Sequence, residues 1–577
     1  MTYIYDDPKD FPTDSLRGYE AAFSKQILRV HGGVVRTDET PKGEPALVVG
    51  GGSGHYPAFA GWVGYGIAHG APCGNIFASP SSEQVYSVAK NAENGGGIIL
   101  GFGNYAGDVL HFGVAAEKLR AEGIDVRIVK VSDDIASNTP DKHRDRRGIA
   151  GDLPVFKIAG AAIAEGADIN KAETIAWKAN DATRSLGVAF DGCTLPGAED
   201  ALFHVPEGQM AVGLGIHGEP GVEEVPLESA SELAKRLVDG VLNETPDFQD
   251  EKKRIAVLLN GLGTVKYEEL FLLYGKVAEL LSAAGYVIVG PEVSEHVTSL
   301  DMAGVSLTVV HLDDELERLW LAPANTPAFR RGEVPKMPEA RARNNVYEPG
   351  DDEIPEASAE SVESARRIAD FLQQVCVLLE EKEEYLGRID SVAGDGDHGN
   401  GMVLGAREAV KRANRAVEKG AGARTVLVQA GAGWSNGGGG TSGALWGALL
   451  TAVGSTFSDS QKPTDEDLRE ALVNGVDAIV RLGGAQVGDK TMVCAAVPYA
   501  NAIKEASSET SLPEVLDKAA QVAESEAEAT KNIKAALGRA RVLKEKSIGT
   551  PDPGAISFAL ISRALSKRRE WARYRSK

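Results

Sequence analysis

Residues 330–360 read "RRGEVPKMPEARARNNVYEPGDDEIPEASAE". The stretch is rich in Pro and charge and almost devoid of large apolar side chains, so it cannot build a core of its own. It reads as an exposed linker between independently packed units. The patterns on its two sides differ, which divides the chain into an N-terminal unit over 1–329 and a C-terminal unit over 361–577.

Before the linker, short β-rich runs alternate with longer amphipathic segments. "ALVVGG", "GGIILGFG", "VRIVKVSD", "RIAVLLNGLG" and "SLTVVHL" read as strands, and "AGDVLHFGVAAEKLRAEG" and "YEELFLLYGKVAELLSAAG" as helices. That is an α/β pattern. A charged segment of helix formers near 228–254 separates the first strands from a second set, so two α/β subdomains are expected. After the linker, Ala-, Leu- and Glu-rich segments at 361–387, 402–419, 439–453, 464–482, 488–503, 512–530 and 531–545 predict an all-helical unit with glycine-rich loops at one end.

The 577 residues exceed one ordinary core, and 43% hydrophobic content supports globular packing. A formal charge of −22 argues against a general nucleic-acid binder, whose affinity needs basic patches. The sequence has no apolar run of membrane-spanning length and begins without a secretory pattern, so no membrane partner and a cytoplasmic location are expected. Cys73, Cys193, Cys376 and Cys494 are far apart and form no CxxC pair, which reads as buried thiols.

The chemistry concentrates in glycine-rich stretches. "IDSVAGDGDHGN", residues 389–400, crowds Asp390, Asp395 and Asp397 into a bend that would repel itself without a cation. Convergent carboxylates suit Mg²⁺, a hard ion that also holds substrate phosphates. "GAGWSNGGGGTSGALWG" offers Gly439, Gly440, Thr441 and Ser442 before a helix-forming run, a phosphate cradle made of backbone N–H groups. Asp489 and Lys490 of "GGAQVGDKTMV", with Arg539 and Asp552 of "GRARVLKEKSIGTPDPGA", are candidates for enclosing a nucleotide.

In the first unit "VVGGGSGHYPAF" places Gly52, Ser53 and His55 directly after a strand, where open α/β sheets bind ligands. It is neither a GxGxxG nor a Walker A sequence. "GFGNYAGDVLHFG" offers Asn104, Tyr105 and Asp108, the last equally readable as a helix cap. "GLGIHGEPG" isolates His217 among glycines. Two histidines and an aspartate suffice for acid/base work at a sugar hydroxyl.

Taken together, "GGGSGHYP", "GNYAGD", "GLGIHGEPG", "TSLDMAGVSLT", "AGDGDHG", "GGGGTSGALWG", "GDKTM" and "PDPGA" resemble, in this order, the single-chain ATP-dependent dihydroxyacetone kinase family. The resemblance covers nearly the whole chain. It implies a ketose-binding α/β domain followed by an antiparallel helical barrel that binds ATP with Mg²⁺, usually two ions. It assigns a covalent hemiaminal with the ketose to His217 and acid/base roles to His55 and Asp108. Gly52, Ser53, Gly103 and Asn104 become substrate contacts. Asp390, Asp395 and Asp397 become metal ligands. His398, Asn436, Gly439, Gly440, Thr441, Ser442, Arg539 and Asp552 surround the nucleotide. A fused chain implies exchangeable ATP as donor and no phosphotransferase-system partner, and the resemblance implies a homodimer.

Departures bear on the substrate. Relatives specific for dihydroxyacetone commonly carry Lys where this chain has Gly103, which leaves room for a ketose one carbon longer. D- or L-erythrulose is therefore expected ahead of dihydroxyacetone, with handedness open. Cys494, Arg541 and Val542 also depart from the family pattern, but the three metal aspartates Asp390, Asp395 and Asp397 are all present. Cyclisation of a flavin-adenine nucleotide and a non-enzymatic ketose-sensing role are the competing expectations.

Overall fold

The computed structural model describes residues 4–219, 221–246, 251–334, 354–394, 396–537 and 547–567. The chain divides into two units, Met1–Pro349 and Gly350–Lys577. Most of the expected linker, residues 335–353, lies outside the described residues.

In the first unit, α1 (Phe11–Phe23) precedes β1 (Ile27–Val30), β2 (Gly33–Arg36), β3 (Ala46–Val49), β4 (Gly51–Ser53), β5 (Gly70–Ile76), α2 (Ser82–Ala92), β6 (Ile98–Gly103), α3 (Ala106–Ala121) and β7 (Val126–Val131). These strands form one sheet of order β1-β2-β5-β3-β6-β7, with β4 paired to β5. β3, β6 and β7 are parallel, and β3 and β6 are buried along their whole length. Continuous apolar runs such as "ALVV" are the expected signature of parallel strands covered on both faces.

Two helices follow, α4 (Asp152–Ala164) and α5 (Ile169–Asp181). A second sheet then contains β8 (Thr183–Asp191), β9 (Gln209–Val212), β10 (Glu223–Pro226), β11 (Arg254–Gly261), β12 (Val287–Ile288), β13 (Glu292–Ser294) and β14 (Ala303–Leu312). Its order is β10-β9-β8-β14-β11-β12, with β13 on β11. Its central strands β8, β14 and β11 are antiparallel. Helices α6 (Ala230–Leu242), α7 (Tyr267–Ala283) and α8 (Asp314–Leu321) complete the unit, with a ribbon of β15 (Ala324–Asn325) and β16 (Arg330–Arg331). Arg330 and Arg331, expected in the linker, thus belong to the first unit, and the Arg331 guanidinium packs 4.2 Å over the Trp320 ring.

Helix α4 joins the two sheets. Its sequence "DLPVFKIAGAAIA" is apolar around the circumference, and every residue from Asp152 to Ile163 is buried. A helix of that composition must be covered on all sides. One hydrophobic cluster accordingly contains Leu47, Ile99 and Val131 of the first sheet, Leu153, Phe156 and Ile158 of α4, and Leu258 and Val310 of the second sheet. Lys157 is the exception in polarity. Its ammonium donates to the Leu319 carbonyl at 2.9 Å, and burial pushes its pKa down to about 7.

The second unit is helical: α9 (Ala359–Asp390), α10 (His398–Glu418), α11 (Ala423–Gly438), α12 (Gly440–Thr456), α13 (Asp465–Gly483), α14 (Val493–Lys504), α15 (Leu512–Ala529) and α16 (Pro553–Ser566). Each packs on the next, and α16 also packs on α9. Three differences from the sequence reading have physical causes. The stretch expected as a glycine-rich loop is helical through Gly438, because its glycines serve helix packing: a Cβ on Gly433 would sit 2.7 Å from the Glu408 carbonyl oxygen and one on Gly437 2.5 Å from that of Leu404. Of the helix expected over 531–545, residues 538–545 lie outside the described residues, and the part before them forms only the turn Thr530–Asn532, with the Ile533 carbonyl accepting from the Lys490 ammonium at 3.2 Å. Helix α16 is not among the expected segments, and it starts where Asp552 caps it by accepting from the Ala555 N–H, with Pro553 at the first helical position.

Gly160 provides a test of the α4 packing. A Cβ there would collide with the Ile67 carbonyl, whereas one on Gly113 of α3 meets nothing within 4 Å. Both are helical, and Ala is the better helix former. Gly160→Ala is expected to destabilise the protein by about 1–3 kcal/mol through overpacking, while Gly113→Ala is neutral or stabilising. Thermal unfolding of the two variants beside the wild type checks this.

Candidate active site

The ketose-site candidates gather at the carboxyl ends of the first sheet. Gly52 and Ser53 lie in β4, Gly103 ends β6, Asn104 follows it, and Asp108 occupies the first turn of α3. His217 lies in the loop after β9, in the second sheet. The structure brings the two histidines together: the rings of His55 and His217 are 4.7 Å apart at 86°. Tyr105 stands edge-on to His217 at 4.4 Å, and Phe77 stacks on His55 at 5.0 Å. His55, His217 and Asp108 are all buried.

Hydrogen bonds fix these groups. The His55 Nδ1 meets the Thr298 carbonyl at 2.8 Å, which assigns its proton to Nδ1. The His217 backbone N–H donates to the Glu219 carboxylate at 2.9 Å, and its Nδ1 lies 3.2 Å from the other carboxylate oxygen. Asp108 accepts from the Ser79 hydroxyl at 2.8 Å and sits inside the helix rather than at its cap. Ser53 donates to the Gly74 carbonyl at 2.6 Å, and the Asn104 amide donates to the Arg146 carbonyl at 2.9 Å, so both side chains shape the backbone around the site. Arg147 loses hydration on burial, but the carboxylates of Asp134 and Glu219 more than offset this and raise its pKa.

The nucleotide-site candidates lie at helix ends in the second unit. Asp390 closes α9, Asp397 precedes α10 and His398 begins it. Asp395 and Arg539 lie outside the described residues. Asp390 accepts from the His398 N–H at 3.3 Å. Burial, with the Asp390 charge in the same sense, pushes the Asp397 carboxyl up to about 7. Burial likewise lifts Asp552 to about 7, against the hydrogen bond from the Ala555 N–H at 2.7 Å and with the Asp390 charge adding to the rise. Asp390, Asp397 and Asp552 therefore share one anionic neighbourhood, whose mutual repulsion suits a divalent cation. Among the described residues no three ligating side chains form a ready-made cluster, and the middle aspartate of the motif is not among them.

Gly439 and Gly440 have φ of 55° and 52°, a left-handed conformation that lets α11 stop and α12 start within one residue. Thr441 and Ser442 fall in the first turn of α12, and Asn436 in the last turn of α11. A Cβ on Gly440 meets nothing within 4 Å, so the junction borders open space, as a cradle requires. His398 is held between two hydroxyls, with Nδ1 3.3 Å from Ser442 and Nε2 3.1 Å from Ser557, and burial lowers its pKa. Lys490 donates to the carbonyls of Ile533, Ser547 and Thr550, tying down the segment before Asp552.

Residues 17–328 match the Dak1 domain and residues 392–567 the DAK2 domain. The chain belongs to the single-chain ATP-dependent dihydroxyacetone kinase family. It is 61% identical to the L-erythrulose 1-kinase of Mycolicibacterium smegmatis, over 98% of this chain and 99% of that one. It is 49% identical to the D-erythrulose kinase of the same organism, over 98% of each. Among solved structures it is similar to the dihydroxyacetone kinase from C. freundii in complex with AMP-PNP and Mg²⁺, with a TM-score of 0.52 and 30% identity over 98% of this chain and 99% of that one. This member of the family is a phosphotransferase. No helix among the described residues is long and apolar enough to cross a membrane.

Sequence reasoning missed Glu219, although it stands two residues after His217 in "GLGIHGEPG". A buried carboxylate at that spacing orients the imidazole. Glu219→Ala is expected to lower kcat/KM by about 100-fold through loss of that orientation, and to lower the melting temperature as well, because the buried Arg147 loses one of its two compensating carboxylates. Steady-state kinetics alongside a thermal melt would show it.

Proposed function

We propose that this chain transfers the γ-phosphate of ATP to a terminal hydroxyl of erythrulose, with L-erythrulose preferred over the D form and over dihydroxyacetone. The observation that carries the reading is the buried His217, its Nδ1 directed to Glu219 and its ring flanked edge-on by His55 and Tyr105. With the proton on Nδ1, the Nε2 lone pair adds to the ketose carbonyl carbon. The π pair moves to the carbonyl oxygen, which takes up a proton, and a hemiaminal results. A triose or tetrose has little surface to bind, so the covalent bond supplies orientation. The terminal hydroxyl then attacks the γ-phosphorus, its proton passing to Asp108 or His55 as ADP leaves.

Asp390, Asp395 and Asp397 would hold the Mg²⁺ ions, which when bound neutralise charge on the nucleotide phosphates. Gly439, Gly440, Thr441 and Ser442 offer backbone N–H and hydroxyl donors to those phosphates, with Asn436 in the last turn of α11. His398 holds Ser442, and Asp552 fixes the start of α16. The 61% identity to an L-erythrulose 1-kinase supports the choice of enantiomer and of the hydroxyl phosphorylated. In this reading the ketose domain ends after Arg331, a linker runs to about residue 360, and α9 to α16 close into an antiparallel barrel, which the packing of α16 on α9 supports. The chain works as a homodimer and needs no phosphotransferase-system partner.

ATP-coupled kinetics at fixed Mg²⁺ are expected to give the highest kcat/KM with L-erythrulose. A higher value for dihydroxyacetone would overturn the substrate assignment. Mass spectrometry of protein incubated with ketose is expected to show an adduct in the wild type and none in His217→Ala, after reduction conditions are controlled for a reversible bond. An adduct that survives the substitution would remove His217 from its role.

A further inference from the structure

The first unit contains two buried polar groups for which the chemistry above has no use. Asp152, at the start of α4, is fully buried, and neither of its carboxyl oxygens has a hydrogen-bond partner. The Tyr105 hydroxyl is likewise buried and unpartnered. Buried polar atoms are almost always satisfied, and leaving one unpaired is costly. An unpartnered acid and an unpartnered phenol near one another mark a place where a ligand supplies the missing partners.

Their position is beside the ketose site. A Cβ on Gly103 would lie 3.2 Å from Cε2 of Tyr105 and 3.3 Å from the Gly148 carbonyl oxygen. A Cβ on Gly148 would lie 2.6 Å from the Gly103 Cα and 3.2 Å from Oδ1 of Asp152. Asp152, Gly148, Gly103 and Tyr105 thus form one contiguous wall, and the Tyr105 ring ends it 4.4 Å from the His217 ring. Burial holds the Asp152 carboxyl well above the usual carboxylate range, with the charges of Asp133 and Asp108 acting in the same sense. Burial also keeps the Tyr105 phenol protonated. A neutral carboxylic acid both donates and accepts, which complements an alcohol, itself a donor and an acceptor.

We propose that Asp152 and Tyr105 are specificity-determining residues that bind the hydroxyl at the end of the ketose remote from phosphoryl transfer, selecting a four-carbon chain over a three-carbon one. The assignment rests on the ketose-kinase reading and extends it to the residues that measure substrate length. A three-carbon ketose stops one carbon short and leaves the acid unpaired. A site built to hydrogen-bond a hydroxyl discriminates strongly against an analogue that cannot offer it.

The test compares the erythrulose-to-dihydroxyacetone ratio of kcat/KM in Asp152→Ala, Asp152→Asn and Tyr105→Phe with that of the wild type. Asp152→Ala and Tyr105→Phe are expected to lower the ratio about tenfold or more, and Asp152→Asn, which keeps a donor and an acceptor, to hold it within about threefold. An unchanged ratio in the first two, or an Asn variant as impaired as the Ala variant, overturns the assignment. Thermal melts check folding; if Asp152→Ala does not fold, Tyr105→Phe, which loses one oxygen and keeps its ring, decides. Calorimetric titration of both ketoses without ATP separates this inference from the reading beneath it. A wild type that binds but phosphorylates neither ketose ends the kinase reading, while the ratio of binding constants in the variants still decides the roles of Asp152 and Tyr105.

Discussion

Helix α4 has no face that tolerates water, and the first unit is organised around that constraint. An apolar helix of this kind is stable only when enclosed, so two sheets with different strand directions contribute to one cluster around it. Enclosure demands small residues at the closest approach, which is why Gly160 faces the Ile67 carbonyl. It also determines where the helix begins. The first turn of α4 lies behind the end of β6, and the acid at its start is buried together with the helix that carries it.

The second unit solves a different problem with similar means. Its helices approach closely through Gly433 and Gly437, and the candidate nucleotide-site residues lie at helix termini. Helix ends carry unpaired backbone N–H groups and tolerate carboxylates at caps. Asp397, Asp552 and the Gly439–Gly440 junction occupy N-terminal ends of this kind, whereas Asp390 stands at the C-terminal end of α9. Crowding carboxylates in a buried place raises their proton affinity, as Asp397 and Asp552 show. The same repulsion favours a cation over the empty arrangement.

Much of this was legible in the residues. Runs such as "ALVV" and "IILGFG" read as strands of an α/β unit, and their continuous apolarity fits the burial on both faces that the structure gives them. His55 and His217, 162 positions apart in number, were both singled out by their glycine neighbours, because glycine next to a polar side chain signals close backbone approach. The same rule misled at 433–438, where glycine serves helix contact and the segment is helical. Composition alone does not distinguish a glycine that bends from one that packs.

The sequence by itself determined the division into an α/β and a helical unit, the family, and the candidate site residues, since these follow from local pattern and from motifs contiguous in the chain. Only the tertiary structure decided that His217 meets His55 and Tyr105, that Glu219 orients it, that His398 sits between Ser442 and Ser557, and that Asp152 and the Tyr105 hydroxyl stand unpartnered beside Gly103. Such pairings join residues far apart in the chain, and whether a polar atom is satisfied depends on every neighbour that burial brings to it.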